Sequence, residues 1–267
     1  MKLAWLTDIH LNFLRPAARD AFLGMLADTE ADAFVITGDI GEADDVAEYL
    51  TAIAGRVNRP VYFVLGNHDF YRGSIAGVRK KVRSLCSVTP NLHWLSDVNV
   101  VPLIDDACLV GHDGWGDGRF GDYHGSDVVL NDFGLIEEFG GFEEAKEERL
   151  AKLQALGDEA AAHFRAVLPA ALERFRHVIV ATHVPPFREA CWHEGKVSDD
   201  NWLPFFSCKA VGDALVEVMA AAPGRTMTVL CGHTHGGGLA QMLPNLRVFT
   251  GGAKYGRPEV QRVIAVD

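Results

Sequence analysis

Short runs of apolar residues recur along the chain, and several are followed directly by polar residues. Eight runs have the length of buried strands: 2–6, 33–37, 61–65, 108–111, 178–182, 227–231, 248–251 and 263–267. Between the early runs, apolar positions three and four apart predict helices at about 16–29 and 43–56. Strands that alternate with helices predict an α/β fold rather than an all-β protein or a helical bundle.

The later part of the chain carries a longer helical pattern. Apolar residues three and four apart over 143–174 predict one helix or a pair, interrupted near Gly157 and again at Pro169. Such a helix would pack against the core or cover a cleft. Short strands separated by glycine and proline predict an antiparallel meander over the last 40 residues. We expect one domain over 1–267, with an insertion at about 111–176 as a candidate cap.

Polar residues with metal-binding side chains follow five of the predicted strands. The segments are Asp8-Ile9-His10, Gly38-Asp39, Gly66-Asn67-His68-Asp69, His183 and Gly232-His233-Thr234-His235. Taken singly, each could be an ordinary turn or a helix cap. Turn chemistry does not require histidine, however, and five of the eleven histidines fall in these segments. Since ligands bind at the carboxyl ends of strands in open α/β sheets, the pattern predicts a metal site there.

The type and number of candidate ligands indicate two ions rather than one. Carboxylate, imidazole and amide donors without thiolates suit manganese, iron, zinc or cobalt. A catalytic ion must keep open coordination positions, so seven ligands are too many for one ion. They suit two ions roughly 3.5–4 Å apart that share one carboxylate. The neighbouring glycines would let the backbone bend and bring the ligands together.

The ordered set of motifs resembles the calcineurin-like metallophosphoesterases. Asp-x-His, Gly-Asp, Gly-Asn-His-Asp, a lone histidine after a strand and Gly-His-x-His follow one another between residues 8 and 235. The resemblance implies two mixed β-sheets packed as a sandwich and flanked by helices, with a dinuclear metal site at the strand ends. Two departures, Ile40-Gly41-Glu42 after Gly-Asp and Thr-His-Val-Pro around His183, do not change a ligand.

The resemblance also implies a role for each motif residue. Asp8, His10 and His235 would bind one ion, Asn67, His183 and His233 the other, and Asp39 would bridge them. His68 would face the phosphate without binding metal, and Asp69 would orient His68. The implied reaction is hydrolysis of a phosphomonoester or phosphodiester by a hydroxide that the two ions activate. His68 would stabilise charge or protonate the leaving oxygen.

Two long segments between the metal motifs are candidates for the substrate-binding wall. They span 111–133 and 184–206 and are rich in glycine, tryptophan, aspartate and histidine. The candidate substrate residues are Tyr71, His112, Trp115, Arg119, Arg188, His193 and Trp202. Arg119 could grip a phosphate or carboxylate with two hydrogen bonds. The alternative, that the tryptophans pack the loops and Arg119 pairs with a nearby aspartate, remains equally open.

Composition limits the partners and the compartment. The 267 residues are 48% hydrophobic, enough for one large core, and carry a formal net charge of −11. An acidic surface repels nucleic acids and anionic membranes, which leaves a small phosphorylated substrate. Five cysteines without CxxC spacing indicate a reducing compartment. With no signal peptide ahead of the first motif and no apolar run of membrane-spanning length, we expect a cytoplasmic protein.

Two other functional classes compete with a phosphoesterase. A binding scaffold could keep the fold without catalysis, but such proteins lose ligands, and all seven positions and His68 are present here. A binuclear amidohydrolase would begin with His-x-His on its first strand, whereas this chain begins with Asp8-x-His10.

Overall fold

A computed structural model describes residues 1–141 and 145–267. The strands are β1 (Lys2–Leu6), β2 (Ala33–Thr37), β3 (Val61–Val64), β4 (Leu92–Trp94), β5 (Val101–Ile104), β6 (Ala107–His112), β7 (His177–Thr182), β8 (Trp192–His193), β9 (Lys196–Val197), β10 (Thr226–Cys231), β11 (Gly238–Leu243), β12 (Leu246–Thr250) and β13 (Arg262–Ala265). The helices are α1 (Pro16–Asp28), α2 (Val46–Val57), α3 (Ile75–Val88), α4 (Asp132–Leu135), α5 (Lys146–Arg174), α6 (Leu203–Phe206) and α7 (Lys209–Ala220). In these ranges no helix is long and apolar enough to cross a membrane.

Two mixed sheets form the centre of the molecule. The first has the order β13-β1-β2-β3-β4, and the second has the order β11-β12-β10-β7-β6-β5. Alternate residues of β1 face opposite ways: Leu3 and Trp5 pack toward the second sheet, and Ala4 and Leu6 pack toward the helices. This arrangement confirms the predicted sandwich of two mixed sheets flanked by helices.

Helices cover the outer face of each sheet. Apolar residues of α1, α2 and α3 join the buried cluster on the first sheet, and those of α5 and α7 join the cluster on the second. Both faces of the central strands are therefore buried, which explains their continuous apolar runs in the sequence. The prediction of a buried strand at 263–267 is wrong, because β13 lies at the edge of its sheet and is mostly exposed. The sequence prediction missed α3 and α7.

Helix α5 is continuous, so the predicted interruptions at Gly157 and Pro169 are wrong. Gly157 serves packing instead, because a Cβ atom there would lie 2.7 Å from Asp117 Cβ and 3.3 Å from Cys208 Sγ. Pro169 removes one backbone donor, and the remaining turns of this 29-residue helix and its buried face hold it together. The start predicted at 143 lies outside the described residues. The predicted single domain and cap stay predictions.

The C-terminal strands are not a simple antiparallel meander, which corrects the prediction for this region. Only β11 and β12 form an antiparallel hairpin there, and β12 pairs in parallel with β10. The chain then crosses to the first sheet, where β13 pairs antiparallel with β1. A loop over 251–261 makes this crossing and passes the strand ends that carry the candidate ligands.

The parallel strands bring the polar segments to one edge. In the first sheet β1, β2 and β3 are parallel, and in the second β7 and β10 are parallel. Backbone hydrogen bonds tie neighbouring strand ends within each sheet, such as Asp8 N to Gly38 O and Gly232 N to His183 O. The two sheets are joined where His183 Nδ1 lies 2.8 Å from Thr37 O. The five segments therefore meet at one end of the sandwich.

Candidate metal centre

The backbone turns sharply at most of the candidate ligands. Asp8, His10, Asp39, His233 and His235 have positive φ angles between 40° and 70°. This left-handed conformation is uncommon outside glycine and costs on the order of 1 kcal/mol at each residue. Eight non-glycine residues of the described ranges adopt it, and five of them are candidate ligands. The strained backbone conformations are therefore concentrated at the candidate ligands, where they turn the side chains toward one another.

Two glycines leave room for the carboxylates. A Cβ atom on Gly66 would collide with the Asp39 carboxylate, and one on Gly232 would collide with Asp8 and Thr7. The glycines beside the ligands therefore act through the absence of a side chain.

A first group of ligand atoms comes from Asp8, His10, Asp39 and His235. His10 Nε2 lies 3.3 Å from His235 Nε2 and 3.6 Å from Asp39 Oδ2. His235 Nε2 lies 3.5 Å from Asp8 Oδ1. Donors that bind one ion at about 2.1 Å stand roughly 3.0–3.5 Å from their neighbours, so this spacing suits a shared ion.

A second group comes from Asn67, His183 and His233. His183 Nε2 lies 3.1 Å from Asn67 Oδ1, 3.2 Å from His233 Nδ1 and 3.4 Å from Asp39 Oδ1. His233 Nδ1 lies 3.0 Å from Asn67 Oδ1. The two oxygens of Asp39 thus face different groups, which is the arrangement a bridging carboxylate requires.

Outer hydrogen bonds indicate which atom of each ligand faces inward. His183 Nδ1 donates to Thr37 O at 2.8 Å, and His233 Nε2 donates to Phe205 O at 3.1 Å. Each ring therefore presents an unprotonated nitrogen to the centre of the second group. The Asn67 amide donates through Nδ2 and points its oxygen to the same place. Lone pairs that converge without a donor repel one another, and a cation removes that repulsion.

The charge states of the buried groups also fit a cation. Burial lowers the pKa of His10 to about 2, and burial followed by repulsion from His183 lowers the pKa of His233 to about 3. Neutral imidazole is the form that binds metal. Burial and then repulsion from Asp8 and Asp69 raise the pKa of Asp39 well above its usual value. The donor set at this edge fits two divalent ions.

His68 lies at the mouth of the centre. Its Nε2 is 4.0 Å from Asp39 Oδ2, farther than the spacings within the two groups, and its backbone N–H donates to Asp39 Oδ1 at 2.9 Å. The ring stacks on Tyr71 with centroids 4.2 Å apart. Burial, then repulsion from His183, lowers the pKa of His68 to about 4. His68 therefore lies beside the two groups of ligand atoms, and its predicted contact with a phosphate stays a prediction.

Asp69 does not orient the His68 ring, which corrects its predicted role. Its carboxylate accepts hydrogen bonds from the backbone N–H groups of Asp39, Ile40, Gly41 and Gly66 at 2.8–3.0 Å. In the described part of the chain, His68 Nδ1 is buried without a hydrogen-bond partner. Asp69 follows His68 in a short 3₁₀ turn, but its carboxylate oxygens are bonded to backbone N–H groups and not to the His68 ring. Asp69 instead holds the loops that carry Asp39 and Asn67.

Asp132 supports the Asn67 ligand, although the sequence did not single it out. This buried carboxylate accepts hydrogen bonds from Asn67 Nδ2 and from the Tyr71 hydroxyl, both at 2.8 Å. Backbone hydrogen bonds from Arg72 to Leu135 and from Glu137 to Gly73 fix its segment against the motif loop. The carboxylate therefore keeps the Asn67 amide oxygen turned inward.

Replacing Asp132 with Ala should weaken the second ion selectively. Losing an outer hydrogen bond of this kind lowers metal affinity about 10–100-fold. Titration calorimetry with Zn²⁺ or Mn²⁺ should show one weakened and one unchanged binding step. Asp127→Ala is the matched control, because Asp127 is an exposed acid of the same segment that pairs with Asn201. If both binding steps of Asp132→Ala kept their wild-type affinities, Asp132 would not support the Asn67 ligand.

The candidate substrate residues divide into two sets. Tyr71 stacks on His68, and Trp115 is buried against Phe70 and lines a small cavity with Asn67 and His183. Trp202 stacks on Phe206, whose ring lies 5.4 Å from His233, and His193 packs against both. Tyr71 and Trp115 thus adjoin the candidate ligands, whereas the rings of Trp202 and His193 reach His233 through Phe206.

The other three candidate substrate residues have structural partners. Arg119 pairs with Asp117 at 3.0 Å and Asp158 at 2.9 Å, as the structural alternative expected. Arg188 pairs with Asp200 at 2.9 Å on the surface. His112 is buried against His163 and Phe164 of α5. Substrate binding by all seven residues stays a prediction.

Sequence reasoning missed a neighbour of the first group, Tyr255. Its ring centroid lies 4.7 Å from that of His10 and 5.0 Å from that of His235. Tyr255 belongs to the 251–261 loop, whose sequence GGAKYGRPEVQ has no metal-binding motif. Tyr255 reaches this position because the chain crosses from β12 in the second sheet to β13 in the first. The predicted antiparallel meander has no such crossing.

Solved structures of low sequence identity share this fold. The phosphopantetheinyl hydrolase from Mycobacterium tuberculosis aligns over 100% of this chain and 96% of its own, with a TM-score of 0.67 and 16% identity. A dimetal phosphatase from Danio rerio aligns over 97% and 89%, with a TM-score of 0.58 and 15% identity. At such identities the likeness shows the fold alone.

Curated relatives match a part of the chain. The UDP-2,3-diacylglucosamine hydrolase of Bordetella pertussis is 42% identical over 86 residues, which are 26% of this chain and 33% of the relative. That of Xanthomonas campestris is 36% identical over 98 residues, 32% of this chain and 39% of the relative. The chain thus spans between a third and two fifths of these relatives.

The sequence profile of the calcineurin-like phosphoesterases matches residues 1–237. The match contains every segment that carries a candidate ligand, from Asp8 to His235. That family uses a dinuclear metal centre, in agreement with the two groups of ligand atoms that meet at Asp39. By this match over most of its length, and by its fold, the chain belongs to the calcineurin-like phosphoesterase family.

Proposed function

We propose that this chain, a metal-dependent phosphoesterase by its family, hydrolyses a small phosphomonoester or phosphodiester at two divalent ions. Asp8, His10 and His235 would hold one ion, Asn67, His183 and His233 the other, and Asp39 would contact both. The observation that carries this proposal is the pair of converging lone-pair groups joined by the two oxygens of Asp39. Manganese, iron and zinc suit these oxygen and nitrogen donors.

The residues of the chain have distinct tasks in the proposed reaction. When bound, two divalent ions supply Lewis acidity that polarises phosphoryl oxygens and makes a water molecule nucleophilic near neutral pH. Asp8 and Asp39 bring two negative charges against four positive ones, so the loaded site attracts a phosphate. His68 would meet a phosphoryl oxygen or the leaving oxygen, because its ring lies at the mouth beside Asp39. Asp69 and Asp132 would hold the loops and the Asn67 amide in place.

The proposed substrate is small and phosphorylated. The net charge of −11 disfavours bulk nucleic acid and anionic membranes as partners. The name of the curated relatives puts a UDP-linked sugar among the esters to be tried.

All five cysteines are free, which agrees with a cytoplasmic protein.

Elemental analysis tests this proposal. We expect the purified protein to carry close to two transition ions per chain, or to gain activity when they are added. Chelation should abolish hydrolysis, and manganese, iron or zinc should restore it. The panel contains p-nitrophenyl phosphate, its bis-ester, nucleotides, cyclic nucleotides and a UDP-sugar, with protein-free metal as the control.

Two results would reject the proposal. A protein that holds no metal and stays inactive with manganese, cobalt, zinc and iron would contradict the dinuclear site. A protein that holds two ions yet hydrolyses none of the esters would instead support the inactive scaffold.

A further inference from the structure

Two exposed aromatic rings stand beside the first group of ligands. Phe13 and Tyr255 are 51% and 49% exposed, and every other Phe, Tyr and Trp in residues 1–141 and 145–267 is buried or half-buried. They come from opposite ends of the chain, yet their ring centroids lie 4.6 Å apart. The only two exposed rings of this kind in the described chain are therefore in contact with each other.

The pair adjoins the place where a phosphate would bind. The Tyr255 ring centroid lies 4.7 Å from His10, 5.0 Å from His235 and 6.2 Å from His68. The Phe13 ring lies 5.9 Å from His10. An ester held at the ions through its phosphate would therefore place its organic part within reach of both rings.

The exposure of this aromatic pair suits the binding of a planar group. A soluble protein buries most of its large rings, and a solvent-facing pair at the rim of a site is a ready stacking surface. Exposed basic residues, Lys254 and Arg257, flank Tyr255 in the 251–261 loop of an otherwise acidic chain. Basic residues interleaved with an aromatic ring suit an anionic ligand that carries a planar group.

The loop that carries Tyr255 lies outside the part of the chain that the family profile matches. The profile ends at residue 237, and Tyr255 lies beyond it. The β12–β13 crossing brings the loop back over the strand ends, where Tyr255 meets Phe13. The surface could therefore add a preference to the shared metal chemistry.

We propose that Phe13 and Tyr255 form a stacking surface for an aromatic ring in the organic part of the substrate ester. This inference rests on the proposed phosphoesterase function and narrows its substrate class. A nucleobase and an aryl group share the chemistry that such a surface recognises, and a test can separate them.

Two pairs of esters with matched leaving groups test the proposal. The first pair is uridine 5′-monophosphate and ribose 5-phosphate, which differ in the base. The second is 2-phenylethyl phosphate and 2-cyclohexylethyl phosphate, which differ in aromatic character at similar apolar size. Each is used as the monoester and as its methyl diester. We expect kcat/KM to favour the aromatic member, the uridine ester or the phenylethyl ester, of at least one pair by about tenfold. The pair that responds identifies the kind of ring.

Variants assign the preference to the two rings. Tyr255→Ala and Phe13→Ala should each reduce the preference severalfold, and the double variant should abolish it. Tyr255→Phe should keep it, because the ring and not the hydroxyl provides the surface. Val88→Ala is the control, since Val88 is 76% exposed at the end of α3 and leads into β4 at the opposite edge of the sheet. All variants should retain the metal content of the wild type.

Failure of this inference is distinct from failure of the proposed function. Equal kcat/KM within both pairs, or a preference that survives the double variant, would overturn the stacking surface while metal-dependent hydrolysis remains. Absence of metal-dependent hydrolysis of every ester would reject the phosphoesterase function, and with it the inference.

Discussion

Replacing Asp39 with Ala is expected to remove both metal ions and to lower kcat/KM at least about 10³-fold. Losing an outer hydrogen-bond partner already lowers metal affinity or activity about 10–100-fold, and Asp39 is the side chain that faces both ligand groups. Elemental analysis and kinetics with p-nitrophenyl phosphate measure the two effects. Asp39→Asn should behave similarly, because an amide keeps the shape but not the charge.

A substitution at a ligand that belongs to one group only shows whether the loss of both ions is specific to Asp39. His10 faces only the first group, so His10→Ala should mainly weaken one ion. Both variants should remain folded, and thermal unfolding of the metal-free proteins checks this. Burial and repulsion from Asp8 and Asp69 raise the pKa of Asp39, so the metal-free fold does not depend on the charge of this carboxylate. An Asp39→Ala protein that keeps either ion at full occupancy would disprove the bridge.

The parts of the structure that follow from local sequence were predictable. The apolar runs predicted the central strands. The polar residues directly after these runs predicted the edge of the sheets at which the motifs meet. Parallel pairing of β1, β2 and β3 then places Asp8, Asp39 and Asn67 side by side. The order of the motifs gave the family, which the profile match confirms.

The parts that depend on tertiary context were not predictable. The helix around Pro169 stays continuous because it packs on the second sheet and on α7. The expectation that proline ends a helix rests on the local sequence and does not include this packing. Asp69 follows His68 in the chain, and this adjacency suggested a contact. Its carboxylate is instead surrounded by backbone donors from two loops.

The residues that support the site come from distant parts of the chain. Asp132 lies 65 positions after Asn67 and is fixed to it by backbone pairing between Gly73 and Ile136. Tyr255 depends on a crossing between sheets that the apolar pattern of its strands does not reveal. The motifs in the sequence identified the candidate ligands, whereas the side chains that hold or adjoin those ligands could be found only from the fold.

Replacing His68 with Ala should preserve both ions and the fold yet lower kcat by about 10²–10⁴-fold. The ring lies 4.0 Å from Asp39, outside the ligand spacings, and is stacked on Tyr71 at the mouth of the site. The loss should be smaller with p-nitrophenyl esters than with alkyl esters, because a good leaving group needs little protonation. Kinetics on both ester types and metal analysis measure this split, with His124→Ala, an exposed histidine paired to Glu147, as the matched control. A His68→Ala protein that loses an ion, or that hydrolyses alkyl phosphates at the wild-type rate, would make His68 a ligand or a bystander instead.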